Sequence, residues 1–160
     1  AVYWHFKNKD DLINALKAMI MEPFDEMDQK LAEPDVEDPL GLMVKAQLTF
    51  FKRMQDRPIF VKLLRIFLTK FEDAASLDEI FINKANCHLE GMSKIEGVLK
   101  KAVQKNQLPE DFDIRIGALA SISFFDGLIH NWIIFPNTLT VETEIPRLLK
   151  GFNRMLRLGL

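Results

Sequence analysis

Apolar residues recur at three- and four-residue intervals along most of the chain, and no two-residue alternation competes with them, so the pattern predicts helices throughout. Leu12, Leu16, Ile20, Met27 and Leu31 outline a first helix, capped by Asn8 or Asp10, with Pro23 as the place where it would kink. The acidic stretch from Glu33 to Asp38, bounded by Pro34 and Pro39, predicts a loop. Leu40, Val44, Leu48 and Phe51 mark the inner stripe of a second helix that ends near Gln55. Arg57-Pro58 opens a third, whose apolar positions Phe60, Leu63, Leu64, Phe67, Leu68 and Phe71 cover more than one face and predict enclosure on most sides.

Ser76, with Glu79 at capping-box spacing, starts a long fourth helix through Leu77, Phe81, Ala85, His88, Met92, Ile95, Leu99 and Val103, ending near Asn106. Asp113 caps a fifth that carries the apolar run from Ile116 to Phe135 and stops at Pro136-Asn137. Val141, Ile145, Leu148, Phe152, Met155 and Leu156 form a last amphipathic helix. The expected fold is all-α, about six helices after a short stub, without repeats or a flexible linker.

Composition narrows the function. The 160 residues, 48% of them hydrophobic, suffice for one core. Twenty-one basic against 23 acidic residues leave a net charge of -2, so no bulk positive field draws the whole chain to nucleic acid. The run from Ile116 to Phe135 has the length of a membrane span, but a carboxylate at its centre, Asp126, would cost at least a few kcal/mol in lipid. A buried helix is the expectation, with no membrane partner. A single cysteine, Cys87, and the absence of an export pattern at the start fit a cytoplasmic protein.

Catalysis finds little support. Cys87 and His88 are neighbours that point about 100° apart on a helix, a poor arrangement for nucleophile and base. His5, His88 and His130 lack metal spacing, and neither a phosphate loop nor a dinucleotide fingerprint occurs. No metal, no cofactor and no enzymatic activity are expected.

The start of the chain, Tyr3-Trp4-His5-Phe6-Lys7-Asn8-Lys9, is a dense aromatic and basic cluster. Such aromatics ordinarily pack a helix junction. The whole string, followed by Asp11-Leu12, resembles the end of the recognition helix and the start of the next helix in the TetR family of transcriptional repressors, in particular those controlling multidrug efflux pumps. A phenol, an imidazole and an ammonium bond phosphate oxygens from a helix in the major groove. The resemblance implies DNA contacts by Tyr3, Trp4, His5 and Lys9, with Phe6 in the core. It makes residues 1–9 the remnant of a helix-turn-helix domain and 10–160 a ligand-binding and dimerisation domain; operator DNA would be read only with the family's preceding helices.

Three further segments carry the likeness: Asp38-Pro39-Leu40-Gly41; Lys70-Phe71-Glu72, where Phe71 departs from a cysteine; and Phe125-Asp126-Gly127-Leu128-Ile129 with Trp132, Pro136 and Asn137 after it. In the family the last two helices form the four-helix bundle of a homodimer, which implies an interface including Gly127, Trp132 and Phe152. Independently, a helix apolar nearly all round followed by a strongly striped one has more apolar surface than a small protomer covers.

A multidrug sensor needs a roomy apolar cavity with few polar anchors. Seven methionines and thirteen phenylalanines could supply it, or could fill an ordinary core; Met43, Met54 and Met92 fall on the helices that would wall it. By the resemblance Asp126 lines the pocket, with Phe125, Ile129, Leu64, Leu68 and Met92 beside it; a structural pairing for Asp126, with Arg115 for example, is the alternative. His130 replaces a family arginine, and Leu64 and Leu68 replace polar pocket residues, which implies different guests. The implied function is a repressor of a multidrug efflux system, released from operator DNA when a hydrophobic drug binds. The alternatives are a TetR-type sensor of one fatty acyl or aromatic metabolite, or a non-regulatory helical bundle that binds small molecules.

Overall fold

The computed structural model describes residues 7, 9–69, 77–135 and 138–159, with only the backbone described at 9, 10, 13, 66–69 and 77–85. Six helices follow one another: α1 (Lys9–Leu31), α2 (Pro39–Gln55), α3 (Pro58–Thr69), α4 (Leu77–Gln104), α5 (Ile114–Ile134) and α6 (Glu144–Arg157). Among the described residues there is no strand, and no helix is long and apolar enough to cross a membrane. Tyr3, Trp4, His5 and Phe6 lie outside the described residues, as does the side chain of Lys9, where α1 begins.

Local chemistry sets the helix ends. Asp38 caps α2 by accepting the Gly41 amide at 2.9 Å, and Pro39 follows in the first turn, where its missing N–H costs nothing. Asp113 caps α5 through the Ile116 amide at 3.0 Å. α4 closes in a Schellman turn: Asn106 adopts φ 56°, its amide bonds the Val103 carbonyl at 3.0 Å, and the Gln107 amide reaches Ala102 at 2.8 Å. Pro23 lies inside α1 without ending it.

Two expectations from periodicity, the stripe of α2 and the start of α6, need correction. The inner stripe of α2 is Leu40, Met43, Ala46, Gln47, Phe50, Phe51 and Met54, while Val44 and Leu48 are half-buried; α2 packs on α1, α3, α4 and α6, which widens its buried face. α3 packs on α1, α2 and α5 and buries Leu63 and Leu64, with Phe60 and Val61 half-buried and Ile59 40% exposed, while the side chains of Phe67, Leu68 and Phe71 lie outside the described residues. α6 begins at Glu144 rather than Val141, because the stretch from Thr140 to Thr143 forms a turn whose groups bond the Glu144 carboxylate, and its buried stripe is Ile145, Leu149, Phe152 and Leu156.

Phe125 of α5 sits at the centre of the core, edge-on to Phe24, Phe50 and Phe51 at ring-centroid distances of 5.6, 5.4 and 5.6 Å. Ion pairs fasten the outside. Arg53 of α2 bonds Glu22 and Glu26 of α1 at 3.0 and 2.7 Å, and Lys94 of α4 bonds Asp25 and Asp28 of α1. Arg65 of α3 donates to the Ile133 carbonyl at 2.7 Å, satisfying an acceptor in the last turn of α5.

Candidate functional site

Between α1, α2, α4 and α5, with one edge on α3, lies a cavity of about 530 Å³, the size of a drug-binding site. α1 lines it with Leu16, Ile20, Met21 and Phe24, which lie within about two turns on one face of the helix. Across from them α5 supplies Ile122, Phe125, Asp126 and Ile129. Phe50, Leu64 and Ile95 complete an apolar lining, with Gly91 of α4 admitting the space: a side chain there would meet only the Ile122 tip, at 3.6 Å.

Most of the polar lining is exposed. Asp126, His88 and His130 reach solvent, and Lys17 bonds Glu90 at 2.7 Å across the gap between α1 and α4. The bond that Lys17 donates to Glu90 holds its ammonium above the ordinary pKa, with partial burial working against it. Burial pushes the Cys87 thiol up, against the pull of Lys17, so it stays protonated and a poor nucleophile. Deeper in, Ser121 is fully buried and donates to the Gly117 carbonyl at 2.7 Å. Gln47 is 2% exposed, and no described residue shares a hydrogen bond with its amide.

The structure therefore brings Asp126, Phe125, Ile129 and Leu64 to one cavity. Met92 does not line it: one helical turn after His88, it is half-buried against the core. Met43 and Met54 are core residues, exposed by 1% and 0%, and the methionine in the lining is Met21. The Leu68 side chain lies outside the described residues. Gln47 escapes the periodic reading although it stands four residues after Met43 and three before Phe50, where a polar residue on an apolar face is itself a signal.

Of the three positions assigned to a partner surface, Gly127 lines the cavity, Trp132 is half-buried and edge-on to Phe51 at 5.5 Å, and Phe152 is buried, stacked on Phe124 at 4.4 Å. Among the described residues, the uncovered large apolar side chains of α5 and α6 are Ile116, Leu119, Leu148 and Met155, between 37% and 56% exposed. Among the described residues no cluster of three histidines, cysteines or acids could hold a metal ion.

Comparison with known proteins agrees with this architecture. Residues 38–158 match the family described as MAATS-type transcriptional repressor, C-terminal region. The chain is 30% identical over 159 residues to the transcriptional regulator TtgR of Pseudomonas putida, covering 99% of this chain and 76% of that protein. Identity and coverage are the same for the probable regulator ArpR, also of Pseudomonas putida. AcrR of Shigella flexneri is 24% identical over 144 residues, covering 90% of this chain and 67% of its own length. A solved structure, the fatty acid degradation regulator FadR from Bacillus halodurans, shares the fold with a TM-score of 0.69 at 16% identity, over 99% of this chain and 80% of that one.

Proposed function

The chain belongs to the TetR family of transcriptional regulators, and on that premise we propose that it is the sensing and dimerising part of a repressor that leaves operator DNA when a hydrophobic molecule fills the cavity. The observation that carries this reading is the cavity itself: about 530 Å³, lined chiefly by apolar side chains, with one wall formed by α1. α1 is a single helix from Lys9 to Leu31, and its first turn adjoins the Tyr3–Lys9 string that resembles the end of a recognition helix. An occupant pressing on Leu16, Ile20 and Phe24 displaces α1, and with it the spacing of two DNA-reading heads in a dimer. Tyr3, His5 and Lys9 then serve as phosphate contacts that position the head, with Trp4 beside them at the DNA.

Ligand must favour the spacing that does not fit the operator, since equal affinity for both states shifts nothing. The direct test is operator affinity of the intact repressor by fluorescence anisotropy, with and without saturating lipophilic compound. The reading predicts a loss of at least tenfold; an unchanged affinity contradicts it. The names of the relatives are those of regulators rather than enzymes, which speaks against a non-regulatory bundle. Efflux control and a multidrug range extend the proposal, and a sensor of one fatty acyl or aromatic metabolite would differ only in answering a single chemical class.

A further inference from the structure

Polar groups in the cavity wall fall into two sets. Lys17, His88, Asp126 and His130 reach solvent, whereas Gln47 and Ser121 are the buried polar residues among those described. The Ser121 proton is committed to the Gly117 carbonyl at 2.7 Å, which leaves its oxygen only as an acceptor. Gln47 differs. Its amide carries two donor hydrogens and an acceptor oxygen and bonds no described residue; the residue as a whole is 2% exposed and lines the cavity. The Gln47 amide atoms are not among the fully enclosed polar atoms that lack a partner, so they keep access to the cavity, where a bound molecule can meet them.

We propose that Gln47 is the specificity anchor of the cavity, and that the cavity selects uncharged, largely apolar molecules carrying one hydrogen-bonding oxygen, such as a phenol or a ketone, which the Gln47 amide meets at the buried end. This rests on the cavity being a ligand site. A pure hydrocarbon leaves the amide unmet, and a carboxylate would be buried beside an amide without a cation, because the one lysine of the lining, Lys17, is already bonded to Glu90. The exposed Asp126 and His130 then border the opening and contribute little to the choice of buried group.

The test is isothermal calorimetry on the 160-residue chain and its Gln47→Leu variant with three matched probes: 4-phenylphenol, 4-methylbiphenyl and biphenyl-4-carboxylate. The native chain is expected to bind the phenol about tenfold more tightly than the methyl compound, the worth of one well-placed hydrogen bond, and the carboxylate most weakly. Gln47→Leu is expected to fold, with a higher melting temperature than the native chain, and to bind the two neutral probes alike. Gln47→Met serves the same purpose should the leucine variant misfold. An unchanged preference in a folded variant overturns the anchor role while leaving the ligand site intact. Failure of all three probes to bind a cooperatively melting native chain overturns both the anchor and the cavity as a ligand site.

Discussion

Gln107 donates from its Nε2 to the Oδ1 of Asp38 at 2.7 Å, tying the turn after α4 to the cap of α2. The same glutamine accepts the Leu40 amide at 3.1 Å, and Arg157, at the end of α6, donates to Asp38 at 3.2 Å. Desolvation works against the Asp38 charge, but the bonds from Gln107, Gly41 and Arg157 outweigh it and hold the carboxyl below its usual pKa. One carboxylate thus joins three parts of the chain.

Asp38→Ala is expected to cost about 1–2 kcal/mol, the range for losing a helix cap. Asp38→Asn, which keeps an acceptor, should cost less. Urea unfolding of the two variants checks the order; equal losses would place the effect in charge alone.

That junction shows what is legible in the sequence and what is hidden there. Asp38-Pro39-Leu40-Gly41 reads as a helix start because cap and proline are local signals, and Asp113 reads likewise. The Gln107 partnership spans 69 residues and leaves no local trace. Asp126, Phe125, Ile129 and Leu64 are nameable by resemblance to relatives, while Gln47 is passed over because a stripe through Val44 and Leu48 fits the same helix one position away. Only packing against four neighbouring helices decides between those faces.

Glu144 provides a pH signature. Bonds from the Thr143 and Thr140 hydroxyls and the Thr140 amide lower its pKa from 4.5 to about 2. A carboxylate depressed on folding stabilises fully above its unfolded pKa, and the contribution fades as pH falls toward the folded value. The melting-temperature gap between the native chain and Glu144→Gln should be constant above about pH 5, narrow below 4.5 and vanish near 2. A gap independent of pH would show that the charge is not what the turn holds.

Gly117 and Gly127, ten residues apart on α5, should respond oppositely to alanine. A Cβ at Gly117 would lie 2.4 Å from Phe112 and 3.2 Å from Leu99, a crowding worth about 1–3 kcal/mol of destabilisation. At Gly127 nothing lies within 4 Å, so alanine should gain about 0.5–1 kcal/mol from helix propensity alone. Thermal unfolding of both variants at a concentration that keeps the oligomeric state fixed tests this.

Leu119 and Met155 are uncovered on α5 and α6, the two helices of the proposed dimer contact. Leu119→Glu with Met155→Glu should shift the chain from dimer to monomer in sedimentation velocity while secondary structure is retained. Phe152→Ala should act differently, costing the protomer about 3–5 kcal/mol because the ring is buried and stacked on Phe124. Dimerisation untouched by the double change would move the interface elsewhere.

Whether the cavity between α1 and α5 takes up hydrophobic molecules is tested directly by thermal unfolding of the native chain beside Gly91→Phe, because position 91 lines the cavity and a Cβ there meets only the Ile122 tip, at 3.6 Å. With lipophilic cations, phenolic antibiotics, flavonoids and fatty acids each in turn, compounds at about a hundredfold excess over Kd should raise the native melting temperature by about 5–10 °C and leave Gly91→Phe unmoved. Equal stabilisation of both proteins would place binding elsewhere, and no stabilisation of the native chain by any compound would contradict the cavity's role as the sensing site.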